Sequence, residues 1–458
     1  MSRALTKKRA MARLDIAAVV TGVGLGLTLS VLASTLTKED VTGVYQIITT
    51  ISRIAALSGA YLALVGLLLV ARITWIERAV GHDRLVSWHR KSAPYALFLI
   101  LFHVVLVVLG YAANDKVRVG VELWRLVTTY PWMLPAFVGF LSFMAAGVTS
   151  YKRVRSKIKY ETWWTIHLYT YIAIAFSFMH QVLTGVMFIG HPLNRLYWTG
   201  LYIFVGATIL IWRIFIPIYK TIRFKLRVSH VDVEAPGIIS IYVKGKNLHK
   251  LKAEGGQFFN WRFLDMDRWY ESHPFSLSAS PTHDSMRFTV KDLGDHSRSL
   301  ISVKPGTRVM IEGPYGTFTS SRAGKDRPIV LIGGGVGITP IRALLEELPR
   351  GRDISLIYRA STEKDLIFLD EISELARRKN VRLHILPGSR ILYPLDAKHL
   401  MQLIPNIRSS EIYICGPTSL TELIRSSAND LGMAKNRIHS EIFEYHTQYD
   451  PDSDLAKR

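Results

Sequence analysis

Apolar runs near twenty residues long recur through the first 220 positions of this chain. Each is long enough to cross about 30 Å of hydrocarbon. Apolar length and flanking charge place six spans near Leu14–Leu36, Ile47–Ile73, Pro94–Tyr111, Trp132–Ser150, Trp163–Val182 and Tyr197–Ile218. The remainder reads as soluble and globular, and a total of 458 residues suits a membrane half joined to a soluble half.

A formal net charge of +21 raises the question of nucleic acid, and the location of the charge answers it. One set of loops carries Arg3, Lys7, Lys8, Arg9 and Arg13, then Arg72, Arg78, Arg84, Arg90 and Lys91. It continues with Lys152, Arg153, Arg155, Lys157 and Lys159, then Lys220, Arg223, Lys225 and Arg227. The opposite side carries only Lys38, Lys116, Arg118, Arg125 and Arg195. The positive-inside rule therefore puts both termini and the soluble half in the cytoplasm of a plasma-membrane protein, with no nucleic-acid partner. The first span follows a basic start, as signal peptides do, but its length favours retention.

Cys415 is the only cysteine, which excludes an intrachain disulfide, a cysteine-based zinc site and a four-thiolate iron–sulfur cluster. Ionisable groups inside a membrane are expensive, so each is a functional hypothesis. The third span carries His89 and His103, and the fifth carries His167 and His180. Fourteen residues of helix rise about 21 Å in nearly four whole turns, so His89 and His103 share a face at two depths. Two stacked haems need that separation. The inner pair is His89 with His167 and the outer pair His103 with His180, each clamping one iron axially, an arrangement suited to electron transfer. The thirteen-residue gap from His167 to His180 turns the second imidazole away on a straight helix, which calls for a local distortion or a rotated haem. His82 and His191 fall in loops and are not assigned to haem. Arg53 and Arg213 are candidate partners for propionates of the outer and inner haem, against the alternative of snorkelling to headgroups.

From Phe224 the pattern becomes short alternating stretches, Arg223–Val233, Ile238–Val243, Gln257–Phe263, Arg287–Val290 and Arg308–Glu312, which predict an antiparallel β-barrel. Then Pro328–Ile332, Ile354–Tyr358, Val381–Leu386 and Glu411–Cys415 alternate with helical segments, as in an α/β parallel sheet. The expected division is 1–222 membrane, 223–324 barrel, 325–447 α/β domain and 448–458 polar tail.

The first βα turn contains Gly333, Gly334, Gly335 and Gly337, followed by Thr339 and Pro340. Glycines let a backbone approach a pyrophosphate, and the helix start offers unpaired amides. Cys415-Gly416-Pro417 ends the last of these strands at the same sheet edge, where open α/β sheets bind ligands. In the barrel, His273, Pro274, Phe275 and Ser276 offer a strip for an isoalloxazine edge, while Gly294 and Ser297 sit in a turn able to face flavin phosphates. After the second α/β strand come Arg359 and Ser361, with no acidic residue to hold a ribose hydroxyl pair. That favours NADPH over NADH, with Arg390 as a further phosphate partner.

On these residues the chain resembles the NADPH oxidase and ferric reductase superfamily. That resemblance implies a six-helix transmembrane bundle holding two b-type haems, fused to a ferredoxin–NADP reductase-like FAD/NADPH module. It covers nearly the whole chain. It maps the haem ligands onto His89, His103, His167 and His180, the flavin motif onto His273–Ser276, the nucleotide turn onto Gly333–Pro340 and the Cys-Gly onto Cys415–Gly416. In similar proteins a C-terminal aromatic covers the flavin where nicotinamide docks. Phe443 looks like that residue, although the chain continues fifteen residues beyond it and Tyr445 stands close by. Phe443, Ser276 and Cys415 are then expected nearest the reacting rings. The implied activity is electron transfer from NADPH through FAD and two haems to an external one-electron acceptor, dioxygen or a ferric chelate. A quinone or an external redox protein is the alternative acceptor. A non-enzymatic haem scaffold would leave the nucleotide motifs unexplained.

Overall fold

The protein's structure, a computed structural model, describes residues 19–324 and 326–442. Phe443, Tyr445, the tail and the start of the expected first span lie outside the described residues. Two compact units result, one up to Arg213 and one from Ile214.

The first unit is helical. Helix α1 is Leu25–Ala33, α2 Val44–Val70, α3 His82–Asn114, α4 Val119–Thr129, α5 Met133–Ser150, α6 Tyr160–Thr184 and α7 Pro192–Leu210. Five helices among the described residues are long and apolar enough to cross a membrane, and the protein is an integral membrane protein. The described part of the expected first span is shorter, a π-type turn at Val19–Gly24 followed by α1. The last span runs from Pro192 to Phe224 through a second π-type turn, Ile211–Phe215, which contains Arg213, and then helix α8, Ile216–Phe224.

Helices α2 and α3 pack antiparallel, because Ser52 meets His103 while Gly66 meets His89. Small residues allow the approach. A Cβ on Gly59 would lie 3.2 Å from the Ala96 carbonyl, and one on Gly66 would touch the His89 ring at 3.5 Å.

Three local expectations change. The third span does not start at Pro94. Its helix starts at His82 and carries Pro94 inside, since one lost backbone bond is tolerated in a long membrane helix supported by a neighbour. His82 is therefore not a loop residue: it opens α3 and its Nδ1 lies 2.8 Å from the buried Glu77 carboxylate, which also accepts from Arg72. The first strand does not begin at Arg223, because helix α8 persists to Phe224 and strand β1 starts at Arg227.

The second unit opens with β1 (Arg227–Ala235), β2 (Ile238–Lys244), β3 (Phe258–Phe263), β4 (His273–Ser276), β5 (Ser285–Lys291) and β6 (Val309–Tyr315). They form two three-stranded antiparallel sheets, β1-β2-β5 and β4-β3-β6, joined by bridges at Arg227–Arg308 and Leu277–Phe288. Between them Trp261 stacks on Phe288 at 4.3 Å and Phe275 on Phe288 at 5.4 Å, within a core that also takes Phe224 and Leu226 from the membrane side of the chain.

The α/β part is a five-stranded parallel sheet of order β11-β10-β7-β8-β9. Its strands are β7 (Ile329–Gly334), β8 (Ile354–Ala360), β9 (Arg382–Pro387), β10 (Glu411–Gly416) and β11 (Ile438–Ile442). Helices α9 (Ile338–Glu347) and α10 (Leu369–Lys379) cover one face, and α11 (Ala397–Leu403) and α12 (Thr418–Asp430) the other. Burial on both faces explains why Ile329–Ile332 reads as a continuous apolar run.

Candidate functional site

Along α3, His89 Nδ1 lies 3.1 Å from the Gly66 carbonyl and His103 Nδ1 lies 3.1 Å from the Ser52 carbonyl. A carbonyl oxygen only accepts, so these contacts place the proton on Nδ1 and leave Nε2 with its lone pair. That is the tautomer a metal-ligating imidazole needs. The Ser52 hydroxyl adds a contact to His103 Nδ1 at 2.8 Å and donates to the His103 carbonyl at 3.0 Å.

Helix α6 is regular from Tyr160 to Thr184, so the expected distortion between His167 and His180 is absent. The His89 and His167 rings have centroids 6.2 Å apart and planes at 75°, an edge-on arrangement. Two imidazoles ligating one iron through Nε2 at about 2 Å have centroids roughly 6.3 Å apart. The residues present thus fit a bis-imidazole haem at this level. His103 and His180 both line a cavity of about 250 Å³, together with Arg53, Gly139, Phe140 and Ala173. The Nδ1 atoms of His167 and His180 are buried with no hydrogen-bond partner among the described residues. Arg53, read as a propionate partner, makes an ion pair with Asp40 at 3.1 Å while also lining this cavity.

One neighbour of this site was missed from sequence. Trp163 stacks on His167 at 5.1 Å, with the Arg155 guanidinium 4.8 Å from the Trp163 ring centre. The signal was available, since Trp163 and His167 stand at the i,i+4 spacing that brings helix side chains together.

In the second unit the sheet order reverses between β7 and β10, the point where open α/β sheets bind ligands. The glycine turn and Cys415-Gly416 meet there, with Cys415 paired to Gly333 in register. The glycines are forced by packing. A Cβ on Gly337 would enter the Cys415 carbonyl, one on Gly333 would lie 2.6 Å from Ile338 Cδ1, and one on Gly416 would lie 3.2 Å from Gly334 Cα. Gly335 has φ 54°, a left-handed conformation that glycine adopts without strain. Thr339 and Pro340 lie buried in the first turn of α9, and the Thr339 hydroxyl donates to the Val336 carbonyl at 2.9 Å.

Cys415 is fully buried, and burial pushes its thiol well up, with the nearby Glu441 charge adding to the effect. It stays neutral and presents no thiolate. Glu441, on β11 opposite Cys415, was not singled out from the sequence, and its Oε1 lies 3.1 Å from where a Cβ on Gly316 would stand. The short β11 hides in sequence because His439, Ser440 and Glu441 interrupt any apolar pattern.

Arg359 ends β8. Its guanidinium donates to the carbonyls of Ala360 (2.8 Å), Leu386 (2.6 Å) and Gly388 (2.7 Å) and sits over Tyr393. Burial lowers its pKa, and the neighbouring Arg390 charge lowers it further. Arg390 reaches the Ser419 hydroxyl, and Ser361 is exposed just beyond the strand. Two guanidiniums held near each other at the carboxyl edge of the sheet form a place where an anion lowers the energy.

On the β-domain, His273–Ser276 forms β4 and pairs with β3 as the edge of its sheet. Trp261 Nε1 donates to the Phe275 carbonyl at 3.0 Å, Ser276 is buried, and His273 Nε2 lies 3.3 Å from Glu271. The Ser297 hydroxyl accepts from Leu293 N at 2.7 Å and donates to the Gly294 carbonyl at 3.0 Å, closing the turn that Gly294 enters at φ 143°. The β-domain and the α/β domain are tied by Glu371, which takes both Arg287 (2.8 and 2.9 Å) and Arg342 (2.9 Å).

Family models match three successive stretches: a ferric reductase-like transmembrane component over 55–178, an FAD-binding domain over 223–319 and an oxidoreductase NAD-binding domain over 331–426. The chain has the domain architecture of the NADPH oxidase and ferric reductase superfamily. His89, His103 and His167 fall inside the first match and His180 just beyond it. A ferric reductase-like transmembrane component is thus followed by a domain matching FAD-binding domains and one matching oxidoreductase NAD-binding domains. Relatives include the ferredoxin reductase component of a 3-ketosteroid-9-alpha-monooxygenase from Rhodococcus rhodochrous, 29% identical, covering 41% of this chain and 55% of that one. A flavohemoprotein from Oceanobacillus iheyensis is 29% identical over 46% of this chain and 56% of its own. The chain thus spans just over half the length of these curated relatives. Among solved structures, a ferredoxin NADP+ reductase from Neisseria gonorrhoeae with bound FAD and NADP aligns with 48% of this chain and 98% of its own, at 20% identity and a TM-score of 0.42.

Proposed function

We propose that the protein is a transmembrane flavocytochrome b that takes electrons from cytoplasmic NADPH and delivers them singly to an acceptor outside, dioxygen or a ferric chelate. FAD and two b-type haems, when bound, supply the conversion of a two-electron donor into single electrons and their passage across the membrane. The observation that carries this reading is the 6.2 Å separation of the His89 and His167 rings in a chain that also brings its glycine turn and Cys415 to one switch point.

His89 and His167 would hold the inner haem and His103 and His180 the outer one, with the Gly66 and Ser52 carbonyls fixing the first-named ring of each pair. Arg53 serves the outer site from its pair with Asp40. His273, Pro274, Phe275 and Ser276 orient the flavin edge, and Gly294 and Ser297 shape the turn toward its phosphates. Gly333, Gly334, Gly335, Gly337, Thr339, Pro340 and Gly416 cradle the nucleotide, while Arg359, Ser361 and Arg390 favour the 2′-phosphate. Cys415 and Ser276 would flank the nicotinamide position, and Phe443, which lies outside the described residues, is the candidate from the resemblance for covering the flavin.

NADPH added without oxygen to a preparation loaded with FAD and haem should produce a reduced b-type haem spectrum. A spectrum that stays oxidised while flavin is reduced refutes the chain of carriers. Consumption of oxygen or of ferric citrate by the reduced protein then assigns the acceptor.

A further inference from the structure

The β3–β4 connection carries a group of large apolar side chains turned to solvent. Met266 is 90% exposed, and Trp269 and Tyr270 are each 59% exposed. Exposed aromatic and thioether groups clustered on a short loop mark an interaction surface.

The loop is held in shape. Asp265 accepts from Arg268 N at 3.0 Å and Nε at 2.9 Å, and the same buried guanidinium donates to the Ser299 carbonyl at 2.6 Å and Ser302 Oγ at 3.1 Å. Arg262 reaches the Trp269 carbonyl at 3.3 Å, and Trp269 N donates to the Asp265 carbonyl at 3.2 Å. Asp265 is therefore neutralised by Arg268, and the ordering entropy of the loop is lost before any partner arrives.

Its position selects the partner. Helix α8 is the basic end of the last span, with Lys220 and Arg223 beside the exposed Tyr219 and Ile222, a composition typical of the membrane interface. Only Lys225 and Leu226 separate α8 from β1. The Leu226 carbonyl accepts from Val309 N at 3.0 Å, Arg227 bridges Arg308, and the Arg308 carbonyl accepts from Leu264 N at 2.8 Å. The base of the loop thus lies one strand from the point where the span enters the β-domain. Lys220 Nζ bonds the Gly313 carbonyl and Phe224 is buried in the β-domain core, so helix α8 belongs to the same compact unit as this end of the domain.

We propose that Met266, Trp269 and Tyr270 insert into the headgroup region of the bilayer and dock the β-domain on the membrane surface. The occupant is lipid. Trp and Tyr favour this zone because an apolar ring and a polar edge are both satisfied there, and Met266 adds a flexible apolar tip.

The lone, buried Cys415 makes a clean test possible. Met266→Cys and, separately, Ile391→Cys in the full chain with FAD receive a bimane probe, in phosphatidylcholine nanodiscs with and without doxyl-labelled phosphatidylcholine. Ile391 is 93% exposed on the α/β domain and serves as the aqueous reference. Doxyl lipid should quench the probe at 266 and leave that at 391 unchanged, while aqueous iodide should quench 266 about fivefold less, as expected of an interfacial position. Equal iodide quenching at both sites would overturn the proposal. Protection at 266 from both iodide and doxyl lipid would also overturn it, assigning the loop to a protein or flavin surface. Because Met266 makes little packing contact, its replacement should leave NADPH turnover unchanged, which verifies that the labelled protein is folded.

Discussion

The Ser52 carbonyl on α2 accepts a hydrogen bond from His103 Nδ1 on α3 at 3.1 Å, and the Ser52 hydroxyl stands 2.8 Å from the same nitrogen. Gly66 and His89 repeat the carbonyl contact one level away, without the hydroxyl. The two histidines therefore differ in their support. Ser52→Ala should keep haem content unchanged, because the carbonyl remains, and should shift the midpoint potential of the outer haem alone. A spectroelectrochemical titration showing both haems at wild-type potentials would remove the hydroxyl from that role.

Replacing His89 or His167 with Leu should remove one haem and replacing His103 or His180 should remove the other. Haem per chain, measured against protein, should fall from about two to about one in each case. Unchanged content in all four variants would refute the ligand assignment.

Gly337→Ala and Gly334→Ala separate backbone from side-chain crowding. The first new methyl meets the Cys415 carbonyl, which cannot rotate away, and the second meets Leu420 Cδ2 at 2.5 Å, which can. Overpacking of this kind costs about 1–3 kcal/mol. Gly337→Ala should show the larger fall in thermal stability and the larger rise in KM for NADPH, and equal effects would contradict the packing account.

Arg359→Ala should weaken NADPH about ten- to a hundredfold while leaving NADH little changed, since a charge-assisted bond to phosphate contributes about 1.5–3 kcal/mol. Its three carbonyl contacts set a control. A variant that loses both nucleotides equally is reporting damage at the ends of β8 and β9 and assigns the phosphate to Arg390 instead.

Burial pushes the Glu371 carboxyl up, but its bonds to Arg287 and then the Arg342 charge more than offset this, leaving it below the usual range. A depressed folded pKa contributes stability that is present above the unfolded value of about 4.3 and lost as pH falls through the folded one. Glu371→Gln should therefore lower the melting temperature near neutral pH, and the gap from wild type should close in acid. A gap that persists unchanged below pH of about 3 would show that packing, not charge, holds the two domains.

Much of this architecture could be read from the sequence because its strongest signals are physical necessities. Long apolar runs cross membranes, and crowded parallel strands demand glycine where backbones meet. Helix starts were harder, because Pro94 reads as a boundary while the neighbouring α2 supports a helix running through it. The π-type turn at Ile211–Phe215 and the helix beyond it left no periodic mark, so β1 was placed too early. Glu441 and β11 escaped notice because a short edge strand of mixed polarity carries no pattern of its own. Trp163 was visible at helical spacing from His167 but competed with many other aromatics in the same span.

The crowding at the switch point separates what selection on folding preserves from what selection on cofactor choice can alter. Gly333, Gly334, Gly337 and Gly416 touch one another's strands and helices, so their loss is punished whether or not a nucleotide is present. Arg359 and Ser361 lie outside that knot. On the proposed assignment, a change from one nicotinamide nucleotide to the other would leave all four glycines in place and alter only residues at and just beyond the end of β8.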